Sequence, residues 1–140
     1  MKVRKFHIPK YDWHVTVFFA VTCYHSSDIL ASLSAIDCPD NLLERVAYNL
    51  EKRQMDTGVT YSNRKRRCSV VVVGLSSSAA EFLNSFEHEL RHLVDDIASV
   101  SQIAFTGEDV AYLTGEINLE LWGDLHDFIC SKCRKSHENR

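Results

Sequence analysis

Residues 13–23 read WHVTVFFAVTC, a run of β-branched and aromatic side chains that leaves little room for a wet face. Such a run predicts a central strand, apolar on both sides. Residues 2–8, ending before Pro9, predict a second strand, and residues 9–12 a turn joining the two. From Ser26 the spacing lengthens. Ile29, Leu30, Leu33 and Ile36 fall on one side of a helix that ends before Cys38, Pro39 and Asp40. Residues 41–53 repeat the pattern with Leu42, Leu43, Val46, Ala47 and Leu50. Strand character then returns, so residues 57–63 and 68–74 predict a β-hairpin around the basic turn Arg64, Lys65, Arg66 and Arg67.

The clearest periodicity follows. Ser78 and Glu81 have the spacing of a capping box, in which each side chain satisfies a free backbone N–H at a helix start. A helix over about 79–98 follows, with Leu83, Phe86, Leu90, Leu93, Val94 and Ile97 as its apolar stripe. Glu81, Ser85, His88, His92, Asp95 and Ser99 line another side. Thr106 and Asp109 repeat the cap spacing and open a last helix through Val110, Leu113, Ile117, Leu121, Leu125 and Phe128. Strands and helices in this order predict an α+β fold.

Composition narrows the class without reaching a function. The 140 residues are 45% hydrophobic and 25% charged, with only 5 Gly and 2 Pro, which suits one domain over 1–130 followed by a charged tail at 131–140. The net charge of −3 lacks the basic bias of a dedicated nucleic-acid binder. No apolar run is long enough for a membrane span, and the first residues lack the apolar core of a signal peptide, so a cytoplasmic protein is expected. Five cysteines, an odd number, fit reduced thiols better than a disulfide framework.

Chemistry enters with His88, Glu89, Leu90, Arg91 and His92, an HExxH sequence on the long helix. Histidines four apart project from one face one turn apart, so both imidazoles can reach one ion. Zinc favours such nitrogen ligands, and in catalytic sites it keeps a position for a water whose pKa it lowers. Glu89 then points to where a general base would act on that water. A third ligand is needed. Glu108, Asp109, Glu116, Glu120 and His126 are the downstream choices, and Glu108 is preferred because it heads a helix that small Ala111 would let approach closely. Glu116 shares a face with Glu108 and Tyr112 and is the alternative, as is Asp109. Acidic residues at a helix start also have a purely electrostatic explanation.

On these residues the chain resembles the gluzincin branch of the zincin metallopeptidases. HELRHLVDD, from His88 to Asp96, is similar to the thermolysin-type helix HELTHxxxD, and EDVAY, from Glu108 to Tyr112, resembles the ExxA-type glutamate motif of minimal zincins. The resemblance implies a minimal zincin-like fold, with a small mixed sheet packed on the HExxH helix and a following ligand helix. It implies Zn2+ held by His88, His92 and Glu108, with Glu89 as general base in peptide-bond hydrolysis. It gives Asp96 or Asp95 a place behind a ligand imidazole, and Tyr112 a weaker one as oxyanion donor. The implied partner is a peptide or protein substrate, which residues 57–63 would align if they form an exposed edge strand beside the motif helix. The chain has no evident second lobe, so a zinc-binding regulatory or interaction module without catalysis is the alternative.

Other signals carry less. His126, Cys130, Cys133 and His137 are spaced like metal ligands, yet on a continuous helix they would span about 16 Å, too far for one ion. The basic run at 64–67 is expected to be a solvated hairpin tip, and no nucleic-acid or membrane partner is expected. His7, His14 and His25, in or beside strands, are expected to be structural.

Overall fold

The structure, a computed structural model, describes residues 2–54, 58–130 and 132. Four strands, β1 (Lys2–Ile8), β2 (Trp13–Val21), β3 (Gly58–Asn63) and β4 (Cys68–Gly74), form one sheet in the order β1-β2-β4-β3. The pairs β1/β2 and β3/β4 are antiparallel, whereas β2 and β4 run parallel. Helices α1 (Ser26–Ala35) and α2 (Asp40–Glu51) lie between β2 and β3 in the chain; α3 (Ala79–Ser101) and α4 (Glu108–Ile129) follow β4. The class is α+β, as the patterning predicts, and the sheet is mixed. Thr57, expected to start β3, lies outside the described residues.

The central place of β2 accounts for its composition. Trp13, Val15, Val17 and Phe19 join one core with Phe82, Phe86, Leu90 and Leu93 of α3 and Leu113 and Ile117 of α4. Phe18 and Val21 join the other, with Ile29 and Leu33 of α1 and Val46 and Leu50 of α2. Residues 18 and 21 would face opposite ways in a regular strand. Ala20 stands at φ 56, and the register to β4 shifts between Phe18 and Val21, a bulge that re-aims the last residue.

Ser78 caps α3 as expected, accepting from the Glu81 N–H at 3.1 Å. The reciprocal half of the box is displaced, because the Glu81 carboxylate accepts from the N–H and hydroxyl of Ser77. Phe86, Leu90, Leu93, Val94 and Ile97 are buried as the stripe predicts, but at its start Phe82 is buried in place of Leu83, and Ser85 is buried rather than wet. The helix continues to Ser101, where Gln102 takes a left-handed conformation at φ 58.

The start of α4 corrects the expected cap. Gly107 is the N-cap, with no side-chain bond, and Glu108 becomes the first helical residue. Ala111, expected to allow close helix approach, is exposed; Val110, Leu113, Ile117 and Leu121 make the packing face instead. Lys2 reaches Asp124 and Asp127 at 2.9 Å each, Arg4 reaches Glu120 and Asp124, and Lys10 lies 3.9 Å from Asp109. Early β1 residues thus meet the end of α4 and the turn after β1 meets its start, so α4 runs opposite to β1. The helix stops at Ile129, and Cys130 is extended at φ −66, ψ 122. Cys133, His137 and the rest of the tail lie outside the described residues. Cys38 and Cys68 are free thiols. No helix among the described residues is long and apolar enough to cross a membrane.

Candidate functional site

The HExxH residues lie mid-way along α3, whose inner side covers β3 and β4. His88 and His92 are exposed on the outer side, one turn apart. Their Nε2 atoms stand 3.3 Å apart, with ring centroids 5.0 Å apart and planes at 74°. Two nitrogens on one tetrahedral ion at zinc–nitrogen distances of 2.0–2.1 Å are separated by about 3.3–3.4 Å, so the spacing fits a shared zinc.

Glu89 turns the other way. It is only 2% exposed, and its Oε2 accepts a 2.6 Å hydrogen bond from the Thr60 hydroxyl on β3. Thr60 Oγ1 also lies 3.2 Å from the Glu89 carbonyl, but its single proton is best spent on the nearer, charged oxygen. Gly58 makes this contact possible. Its φ is +142°, and a Cβ there would come within 1.8 Å of the Val72 carbonyl oxygen and 3.4 Å of Glu89 Cγ. Among the described residues β3 is an edge strand, paired with β4 alone, and it lies against the motif helix.

The remaining expected site residues are placed elsewhere. Glu108, Asp109, Tyr112 and Glu116 are exposed on α4, and no His, Cys, Asp or Glu among the described residues joins His88 and His92 in a group whose ligand atoms all lie within 4.8 Å. The chain path explains this. Nine residues of α3 follow His92 before the helix ends, roughly 13 Å of axial travel, and Glu108 begins the returning helix. Tyr112 is 66% exposed and is not a core residue. Asp95 accepts from Arg91 at 2.9 Å and Asp96 from Arg64 at 3.1 Å, so each carboxylate is engaged by an arginine. Beside the pair, partial desolvation raises the Glu87 carboxyl above its ordinary value of 4.5, although the residue is exposed.

The basic turn is more tied down than a solvated tip. Besides Arg64, Arg66 reaches Asp37 and the Ala35 carbonyl, and Arg67 donates to the Tyr11 carbonyl at 2.8 Å. His25 is structural: its Nδ1 accepts from the Thr22 N–H at 3.1 Å, and burial lowers its pKa. A cavity of about 330 Å³ opens beside Val21 and Gly74, at the carboxyl ends of β2 and β4, with Asn49, Arg53 and Tyr24 in its wall. None of the HExxH residues lines it.

One cluster escaped the sequence reading. His7, Asp12 and His14 each offer a ligand atom within 4.8 Å of the other two. The signal was present in the expected turn at 9–12, because a ladder that pairs Ile8 with Trp13 must set His7 opposite His14.

No protein-family model, curated protein or solved structure matches the chain.

Proposed function

We propose that the chain is a zinc-dependent peptidase of the zincin type, with His88 and His92 as metal ligands and Glu89 as general base. The observation that carries the reading is the 3.3 Å Nε2 separation of the two histidines on one helix. Zinc held there would supply Lewis acidity and a water made acidic enough to ionise near neutral pH. Thr60 holds the Glu89 carboxylate on the sheet side of α3, away from the imidazoles. To take the proton from the attacking water and return it to the leaving amine, Glu89 has to exchange that hydrogen bond for a rotamer on the histidine side. The free edge of β3 would align an extended peptide by main-chain hydrogen bonds. Glu108 is the proposed third ligand, with Glu116 and Asp109 as alternatives; bringing any of them to the imidazoles requires the α3–α4 connection to shift.

The second reading, a zinc-binding module without catalysis, draws on the burial of Glu89 and on the carboxylates that stay away from the pair. Metal analysis and digestion of a peptide library separate the two. The peptidase reading expects zinc in the parent and in Glu89→Gln, cleavage by the parent alone, and less zinc in Glu108→Ala. Zinc binding with no cleavage of any peptide would select the module, and unchanged zinc content in His88→Ala/His92→Ala would refute both.

A further inference from the structure

The closed end of the β1–β2 hairpin holds the cluster that the HExxH chemistry does not use. His7 and His14 are direct cross-strand partners, and their rings stack with centroids 4.4 Å apart and planes at 28°. Asp12 ends the turn in a left-handed conformation at φ 48, ψ 55, with its N–H donating to the Pro9 carbonyl. That conformation swings its carboxylate back over β1, where Oδ1 lies 2.8 Å from His7 Nε2. Buried Ile8, Tyr11 and Trp13 anchor the backbone between the three residues, so the side chains project from a fixed frame.

We propose that His7, Asp12 and His14 form a second metal site, one that takes a borderline divalent transition-metal ion such as zinc or copper(II). Two imidazoles and one carboxylate are a nitrogen-rich donor set; calcium and magnesium prefer all-oxygen surroundings. All three residues are exposed, which leaves the other coordination positions to water. Ligation through His7 Nε2 displaces the proton between that nitrogen and Asp12: a neutral imidazole carries it on Nδ1 instead, and an imidazolium releases one proton to solvent. The frame lowers the ordering cost, because the ladder and the turn already hold the donors together. Arg67, a cation whose charge acts on Asp12, donates to the Tyr11 carbonyl. A bound ion would clamp the hairpin at the end nearest the start of α4, where Lys10 meets Asp109.

The site is independent of the helical pair, and the test keeps them apart. Tag-free full-length chain, stripped with chelator, is titrated with zinc chloride by calorimetry as the parent, as His88→Ala/His92→Ala, and as His7→Gln/His14→Gln. The helical double variant should still bind one zinc. Adding His7→Gln/His14→Gln to it should weaken that binding by more than about a hundredfold, since even outer-shell partners are worth 10–100-fold. Asp12→Asn should weaken it by at least about tenfold, and serves as the probe if the double glutamine variant fails to give the parent circular dichroism spectrum. No zinc binding by His88→Ala/His92→Ala overturns the proposal, as does binding that survives the hairpin substitutions. Equal affinity for calcium or magnesium overturns the choice of ion. The His7→Gln/His14→Gln chain reports the helical pair alone, so failure of one site leaves the other legible.

Discussion

Thr60→Val tests how Glu89 is held. The substitution keeps the β-branched shape that suits β3 and removes only the hydroxyl that donates to Glu89 Oε2 at 2.6 Å. A hydrogen bond to a charged group contributes about 1.5–3 kcal/mol, against ~1 kcal/mol for a neutral pair. The carboxylate is 2% exposed, so water cannot readily replace the lost donor. Thr60→Val should therefore cost about 2 kcal/mol in urea unfolding, with an unchanged denaturant slope. In a Glu89→Gln background the acceptor is neutral, and the same substitution should cost only ~1 kcal/mol. The difference, about 1 kcal/mol, is the coupling that a double-mutant cycle reads. Equal costs in the two backgrounds would refute the reasoning, since the charge on Glu89 would then play no part in its anchoring.

Gly58→Ala should destabilise by more than about 3 kcal/mol, or displace β3, because the new Cβ meets the Val72 carbonyl at 1.8 Å in a backbone conformation that only glycine adopts readily; a melting curve close to the parent's would contradict this. Ser78→Ala should cost about 1 kcal/mol through loss of the α3 cap, read by urea unfolding. Lys2→Ala/Arg4→Ala should cost about 3–5 kcal/mol, more than the two single changes together, because either cation alone still compensates the buried Asp124 carboxylate. His25 should titrate below its ordinary value of 6.5 by NMR, owing to its burial. Since a lowered histidine pKa means that the unfolded chain binds the proton more readily, its contribution is complete above pH 6.5 and declines as pH falls toward the folded value; His25→Gln should blunt that loss.

Local periodicity made most elements legible. A run such as residues 13–21 fits only a strand buried on both faces, and the Ser78 cap with its following apolar rows fits only a helix. HExxH was legible for the same reason, because i and i+4 on any α-helix bring two imidazoles together. Errors gathered where a choice of one residue depends on what packs against it. Phe82 rather than Leu83 faces the sheet, Gly107 rather than Thr106 caps α4, and Ala20 holds a bulge that no spacing announces.

Distances between elements belong to the tertiary structure alone. Sequence places Glu108 sixteen residues after His92, but whether those residues bring it back or carry it away depends on where α3 stops and how α4 returns. The opposite-charge pairs between β1 and α4 settle that path. Pairing across the sheet likewise decides that Thr60 meets Glu89, and that His7, Asp12 and His14 share one hairpin end. Local propensity acts over a turn or two of chain. Which distant side chains meet is fixed only when both faces of the sheet are buried at once, and that requirement involves the whole domain.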